Sequence, residues 1–264
     1  MKEWNLVIYA PAYNSELTIR SLLERMEAMS VELGRLGIYL KLFLVVDDGS
    51  TDRTLEIMED VSKKYPFLKI VAQESNMGPA KAILRGMEEV SNALEESSLN
   101  PSETIVVRMD SDLEHIPEDL PKLLTPIIKG NTDVSVGFIP FDERSGKEMQ
   151  EFNLTAGREE SKDFLGMEIP QFCPGYNAIR ASVFLEILPV LRGFSLDFQR
   201  ETGIEMLSID FIILVISKML GKKIIQSRLS PIQDEYIKTP SPEKIKTYKK
   251  YHQETMSFLK KKLP

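Results

Sequence analysis

Asp110 and Asp112 stand one residue apart in Met109-Asp110-Ser111-Asp112-Leu113-Glu114-His115, directly after the apolar run Thr104-Ile105-Val106-Val107. Side chains at i and i+2 of an extended strand point to the same side. A strand ending here aims both carboxylates into the crevice beyond its carboxyl end, where open α/β sheets bind ligands. Paired hard oxygens suit a Mg²⁺ or Mn²⁺ ion that also grips a diphosphate. An Asp-x-Asp is expected by chance roughly 0.6 times in such a chain, so its weight depends on its neighbours.

Three upstream segments have chemistry of their own. In Ala10-Pro11-Ala12-Tyr13-Asn14-Ser15-Glu16, proline fixes the exit of a strand and Tyr13 offers a face on which a nucleobase can stack. An ordinary strand-to-helix turn, with Asn14 or Ser15 as N-cap, fits equally. In Val45-Val46-Asp47-Asp48-Gly49-Ser50-Thr51-Asp52 a carboxylate at the strand end can accept hydrogen bonds from a ribose hydroxyl or a base imide. Capping of the next helix accounts for Asp52 but not for Asp47 and Asp48. In Asn76-Met77-Gly78-Pro79-Ala80-Lys81-Ala82, followed by Arg85, a helix start presents free N–H groups and two cations to a diphosphate. No Gly-x-x-x-x-Gly-Lys-Ser/Thr run and no Gly-x-Gly-x-x-Gly at the first helix argues for a P-loop NTPase or a dinucleotide oxidoreductase.

The elements that must position these residues alternate between short apolar strands and amphipathic helices, the pattern of a mostly parallel α/β sheet flanked by helices. Strands are expected at Leu6 to Ala10 (ended by Pro11), Leu42 to Val46, Leu68 to Ala72, Thr104 to Met109, Asp133 to Gly137 and Lys223 to Arg228. Helices are expected at Glu16 to Met29, Thr54 to Lys64, Pro79 to Leu94, Pro117 to Ile128, Ala181 to Leu191 and Asp210 to Leu220. Phe138 to Pro174 is polar and irregular and reads as a mobile loop followed by a helix; Pro240 to Pro264 reads as a helical tail packing only peripherally. With 264 residues and 42% hydrophobic content, the chain can bury one large core. The expected organisation is a single large domain of two halves, 1–137 and 138–237, the second with a flexible loop, followed by a basic helical tail (238–264).

A net charge of −7 disfavours a general nucleic-acid binder. The single cysteine, Cys173, excludes an intramolecular disulfide and fits a reducing compartment. No signal-like start and no apolar run of spanning length points to a cytoplasmic protein. Lysines 238, 244, 246, 249, 250, 260, 261 and 262 give the tail a positive bias, either a solvated helix face or a peripheral contact with acidic lipid at the inner face of the membrane.

Taken in order, the four segments resemble glycosyltransferase family 2, which has the GT-A (Rossmann-like) fold. Its Pro-x-Tyr-Asn, Asp-Asp-Gly-Ser-x-Asp, Asn-x-Gly-x-x-x-Ala and Asp-x-Asp motifs match Pro11 to Asn14, Asp47 to Asp52, Asn76 to Ala82 and Asp110 to Asp112. Asp110 to Glu118 is similar to the subgroup of dolichol-phosphate-mannose-synthase-like enzymes. That likeness implies that Asp112 and Glu114 face the metal, with Glu114 standing where the subgroup has glutamine and His115 matching a structural histidine. Phe172 to Ile179 resembles the segment lining the donor sugar, which would place Gly175, Tyr176 and Asn177 there. Ile209 to Ile212 resembles the closing helix, where Asp210 is either the base that deprotonates an acceptor hydroxyl or a helix N-cap, with Glu205 as the alternative base. The chain departs from the subgroup at Gly137-Phe138-Ile139, where an arginine is usual, leaving Arg144 or Arg158 as substitutes; Ser15 also intervenes between Asn14 and Glu16.

The resemblance implies a metal-dependent glycosyltransferase that moves a hexose, with inversion, from a UDP- or GDP-sugar to a polyprenyl phosphate or a hydroxyl. It makes residues 1–137 the nucleotide-sugar half and 138–237 the acceptor half. Pro11, Tyr13, Asn14, Glu16, Asp47, Asp48, Gly78, Lys81 and Asp110 would surround the nucleotide. Asp110, Asp112 and Glu114 would hold Mg²⁺ or Mn²⁺, and Gly175, Tyr176, Asn177 and Arg158 would meet the sugar or acceptor. A catalytically inactive nucleotide-sugar binding module and a nucleotidyltransferase are the competing readings.

Overall fold

The computed structural model describes residues 2–139, 151–152, 158, 161–170, 174–206, 208–232 and 241–263. Among the described residues seven strands form one sheet: β1 (Trp4–Ala12), β2 (Ile38–Asp47), β3 (Leu68–Ala72), β4 (Thr104–Arg108), β5 (Val134–Phe138), β6 (Asn177–Arg180) and β7 (Ile224–Arg228). Their order is β3-β2-β1-β4-β6-β5-β7. Only β6 runs antiparallel to its neighbours, β4 and β5. The described helices are α1 (Ile19–Arg35), α2 (Thr54–Ser62), α3 (Pro79–Glu96), α4 (Leu120–Ile128), α5 (Ser161–Leu165), α6 (Ala181–Thr202), α7 (Ile209–Met219) and α8 (Pro242–Lys262).

The alternation of side chains along each strand divides the core in two. Leu6, Ile8 and Ala10 of β1, with Phe43 and Val45 of β2, pack on Leu22, Leu23 and Met26 of α1 and Leu123 and Leu124 of α4. Val7 and Tyr9, with Leu44 and Val46, face Ile83, Met87 and Val90 of α3 and the residues of α6 and α7. Covered on both faces, the central strands are mostly apolar, as parallel strands in a three-layer fold are. Residues Ile209 to Ser217 of α7 are buried all round, so that run is a core helix.

Six expectations need correction, two of them simple extensions: the helix expected to end at Leu191 runs to Thr202, and the strand expected from Leu42 begins at Ile38. β1 continues through Pro11 to Ala12, because proline removes one N–H without ending the pairing of Pro11 with Val46 and Ala12 with Asp47. α1 begins at Ile19 and runs six residues beyond Met29, since Leu33 still falls on the buried stripe. The strand β6 was expected only as a ligand-lining segment; its four residues are too few to show a period. The carboxy-terminal helix is part of the core: Ile245, Met256, Phe258 and Leu259 are buried, and Phe258 meets Phe194 and Phe198 of α6 edge-on. Its lysines lower the mean hydropathy and hide that stripe. The expected loop over Phe138 to Pro174 lies largely outside the described residues.

Candidate active site

Parallel strands β2, β1 and β4 lie side by side and end on one rim. Their three exit turns are bonded to one another. The Asn14 N–H donates to Ser50 Oγ (2.9 Å), and Asn14 Oδ1 accepts from the Thr51 N–H (2.9 Å), with Asn14 itself at φ 49°. The Glu16 N–H donates to Asp52 Oδ2 (3.1 Å) while Glu16 Oε2 accepts from the Arg53 N–H (3.2 Å). Asp52 Oδ1 in turn accepts from the Thr54 N–H (2.9 Å), a capping contact at the start of α2. Ser15, the residue intervening between Asn14 and Glu16, lies 3.1 Å (Oγ to Oγ) from Ser111 at the centre of the Asp-x-Asp. Thr18 donates to the Ser111 carbonyl (3.0 Å). Asn14 and Glu16 thus hold the first turn to the second, and Tyr13 is left 45% exposed on the rim.

Asp47 and Asp48 have opposite surroundings. Asp48 accepts from the Met77 N–H (2.7 Å), the Gly78 N–H (2.9 Å) and Gln73 Nε2 (3.1 Å), so its carboxylate shapes the turn that starts α3. Gly49, at φ 66°, lets that turn pass against it; a Cβ there would collide with the Ser75–Asn76 backbone. Asp47 is 1% exposed. Its Oδ2 accepts from the Ser50 N–H (3.3 Å), whereas Oδ1 is buried with no hydrogen-bond partner among the described residues. A buried acceptor left open costs free energy unless a ligand fills it.

Lys81 on α3 pairs with Glu205 (2.7 Å), and Glu205 lies beside Gly78. This brings a residue of the α6–α7 connection to the start of α3, so Lys81 shares its charge with the candidate base.

At the end of β4, Asp110 is clasped from two sides. Arg108 Nη2 lies 2.7 Å from Asp110 Oδ1, and His115 Nδ1 lies 3.1 Å from Oδ2. The backbone N–H of Asp110 points at the same Nδ1 (3.2 Å), which accepts it only without a proton and donates to the carboxylate only with one. Burial on its own pushes the Asp110 carboxyl up, but Arg108 and then His115 outweigh it and hold the group at about 2. Asp112 Oδ1 accepts from the Glu114 N–H (3.2 Å), and Leu113 between them is buried at φ 64°, a conformation that a leucine adopts only when its surroundings impose it. Among the described residues no three Asp, Glu, His or Cys side chains gather as a metal cage. The donor set, hard carboxylates on one loop, instead fits an ion held by one or two carboxylates together with substrate phosphates.

Asp210 is 5% exposed in the first turn of α7. The N-cap of that helix is Ser208, so capping does not explain Asp210. Its Oδ1 accepts from Asn177 Nδ2 (3.3 Å), and its Oδ2 lies 3.5 Å from Arg108 Nη1. Burial pushes its pKa up, Arg108 pulls against this and Asp110 adds to it. The chain passes directly over this group at Gly175, where a Cβ would collide with Arg108 Nη1 and stand 2.5 Å from Asp110 Oδ2.

Tyr176 is fully buried, with its hydroxyl donating to the Ile116 carbonyl (3.0 Å) and its ring 5.1 Å from that of His115. It supports the loop that carries Asp112 and Glu114 from behind. Arg158 is exposed on a neighbouring segment, its carbonyl accepting from Ser161 (3.4 Å). The residue missed in the sequence is Arg108, the only hint being a cation at the end of an otherwise apolar strand.

The fold, with its mostly parallel sheet and acidic exit turns, is the GT-A arrangement. The family model described as Glycosyl transferase family 2 matches residues 7–188, and the chain belongs to that family. It is 32% identical over 130 residues to a dolichol-phosphate mannosyltransferase of Pyrococcus furiosus, covering 49% of this chain and 32% of that protein. It is also 32% identical over 124 residues to an undecaprenyl-phosphate 4-deoxy-4-formamido-L-arabinose transferase of Pseudomonas aeruginosa, covering 47% and 32%. The match thus spans about a third of the length of each of these relatives. Among solved structures it is similar to glucosyl-3-phosphoglycerate synthase of Mycobacterium tuberculosis, crystallised with Mn²⁺, UDP and glucosyl-3-phosphoglycerate. That likeness has a TM-score of 0.56 and 18% identity, over 97% of this chain and 78% of the other.

Proposed function

We propose that this chain transfers a hexose from a UDP- or GDP-sugar, with inversion, to a polyprenyl phosphate or to a hydroxyl. The observation that carries this reading is the open, buried Oδ1 of Asp47 on the rim beside Tyr13. It is an acceptor suited to a base N–H or a ribose hydroxyl, and Tyr13 is exposed to stack on the base. The names of the relatives, which act on lipid phosphates, support a phosphate acceptor, and the neighbour crystallised with Mn²⁺ and UDP supports a metal-bound diphosphate.

One or two of the carboxylates Asp110, Asp112 and Glu114 would hold Mg²⁺ or Mn²⁺ together with the donor's phosphates, and the ion would stabilise the charge building on the departing diphosphate. The acceptor oxygen attacks the anomeric carbon as the bond to the diphosphate breaks, and the nucleoside diphosphate leaves with the electron pair. A hydroxyl acceptor gives its proton to Asp210, whose burial favours taking it. An ionised phosphate needs no base. Gly175 lets the backbone approach the sugar, and the exposed lysines of α8, Lys246, Lys250, Lys260 and Lys261, would bring the protein to an acidic lipid surface.

Melting the protein with UDP or GDP, with and without Mn²⁺, tests the reading. Metal-dependent protection by one nucleotide, followed by turnover of its sugar, is expected; Asp112→Asn should lose that protection. Protection without turnover of any donor favours a binding module, and protection by neither nucleotide sinks the donor site.

A further inference from the structure

Arg108 is 6% exposed, a cation inside the core at the last position of β4. It pairs in register with Tyr9 of β1 and Asn177 of β6, so three polar side chains form a row across adjacent strands on one face of the sheet. The guanidinium meets both Asp110 oxygens (2.7 and 3.4 Å) and reaches Asp210 (3.5 Å). One cation therefore joins the carboxylate at the start of the Asp-x-Asp to the carboxylate at the start of α7.

We propose that Arg108 is a positioning residue of the donor site, fixing the direction in which Asp110 and the Ser111–His115 loop face the nucleotide by tying Asp110 to Asp210. This rests on the donor-site reading above. Stability is a poor reason to keep such a group, because replacing buried ion clusters with apolar side chains is often neutral or favourable. Geometry is the better one. Asp110 and Asp210 are like charges on neighbouring elements, and Arg108 is the guanidinium among the described residues that reaches both. Without it Asp110, the more exposed of the two (32% against 6%), is repelled outward, away from His115. Gly175 closes the space above, so that Asp110 is confined to one arrangement only while Arg108 holds it.

The test compares wild type, Arg108→Met, Arg108→Lys and the double variant Arg108→Met with Asp210→Asn. Mn²⁺-dependent binding of UDP and GDP is measured by calorimetry and the melting temperature without ligand is recorded. Arg108→Met should weaken the preferred nucleotide by about tenfold or more, and Arg108→Lys, keeping the charge without the fork, should recover most of it. The double variant, in which one surplus carboxylate is gone, should bind more tightly than Arg108→Met. A purely structural role does not produce that rescue. Arg108→Met binding like wild type, or a double variant no better than Arg108→Met, overturns the proposal. Should Arg108→Met fail to fold, the double variant is compared with Arg108→Lys, and loss of all binding in a folded double variant overturns it. A wild type that binds neither nucleotide instead overturns the donor-site reading, and this inference with it.

Discussion

Asp47 and Asp48 are adjacent and chemically identical, and the sequence offers no ground for choosing between them. Successive side chains at a strand end point opposite ways. One therefore accepts two backbone N–H groups from the next turn, and the other is buried with one oxygen left without a partner among the described residues. Asp47→Asn should weaken nucleotide binding by about tenfold or more, since a hydrogen bond to a charged group is worth about 1.5–3 kcal/mol. The melting temperature without ligand should stay level or rise, because the substitution removes a buried charge. Calorimetry and a melting curve on the same sample check both; equal affinity would remove Asp47 from the site. Tyr176 shows the opposite case. Its motif position suggested a ligand contact, yet its hydroxyl is already used by the Ile116 carbonyl.

At the scale of elements, edge strand β3 is tied to α3 through Glu89, which accepts from Lys69 (2.9 Å) and pairs with Arg85 (2.8 Å). The Lys69 hydrogen bond holds the Glu89 carboxyl below its usual 4.5 against the opposing effect of burial, with Arg85 adding to it. A carboxylate whose folded pKa is depressed contributes stability that is present above its unfolded value and lost as pH falls through the folded one. Wild type should therefore lose about 1 kcal/mol more than Glu89→Gln as pH falls through the carboxylate range, a small figure because both cations are half exposed. Urea titrations at several pH values test this, and parallel pH profiles would remove Glu89 from the account. The sequence placed the short strands β3, β4, β5 and β7 to within a residue at either end and cut the long strands β1 and β2 short at both ends. β6 was invisible because its pairing is with residues more than forty positions away in β5 and about seventy away in β4.

Across the whole molecule, α8 joins the core through Phe258 and Leu259 and turns Lys246, Lys250, Lys260 and Lys261 outward. The composition of this tail pointed to the lysines and missed the stripe beneath them. Among the described residues no helix is long and apolar enough to cross a membrane. Replacing those four lysines by glutamate should abolish sedimentation with phosphatidylserine vesicles at low salt while leaving the melting temperature nearly unchanged. Vesicle binding that survives the charge reversal would locate the lipid contact elsewhere.

The sequence by itself determined the sheet-and-helix alternation, the acidic exit turns and their order, because these follow from local periodicity and from residue types that only certain turns accept. Asn14, Glu16, Asp48 and Asp110 were legible in that way as residues of those turns. Only the tertiary structure decided that the first two stitch turns together, that Asp48 shapes the start of α3, and that Asp47 keeps an open oxygen. It alone placed Arg108 between Asp110 and Asp210, a hundred residues apart in the chain, and Gly175 above them. Which polar group is left for a ligand depends on which partners the fold has already supplied, and those partners come from distant segments that no local pattern records.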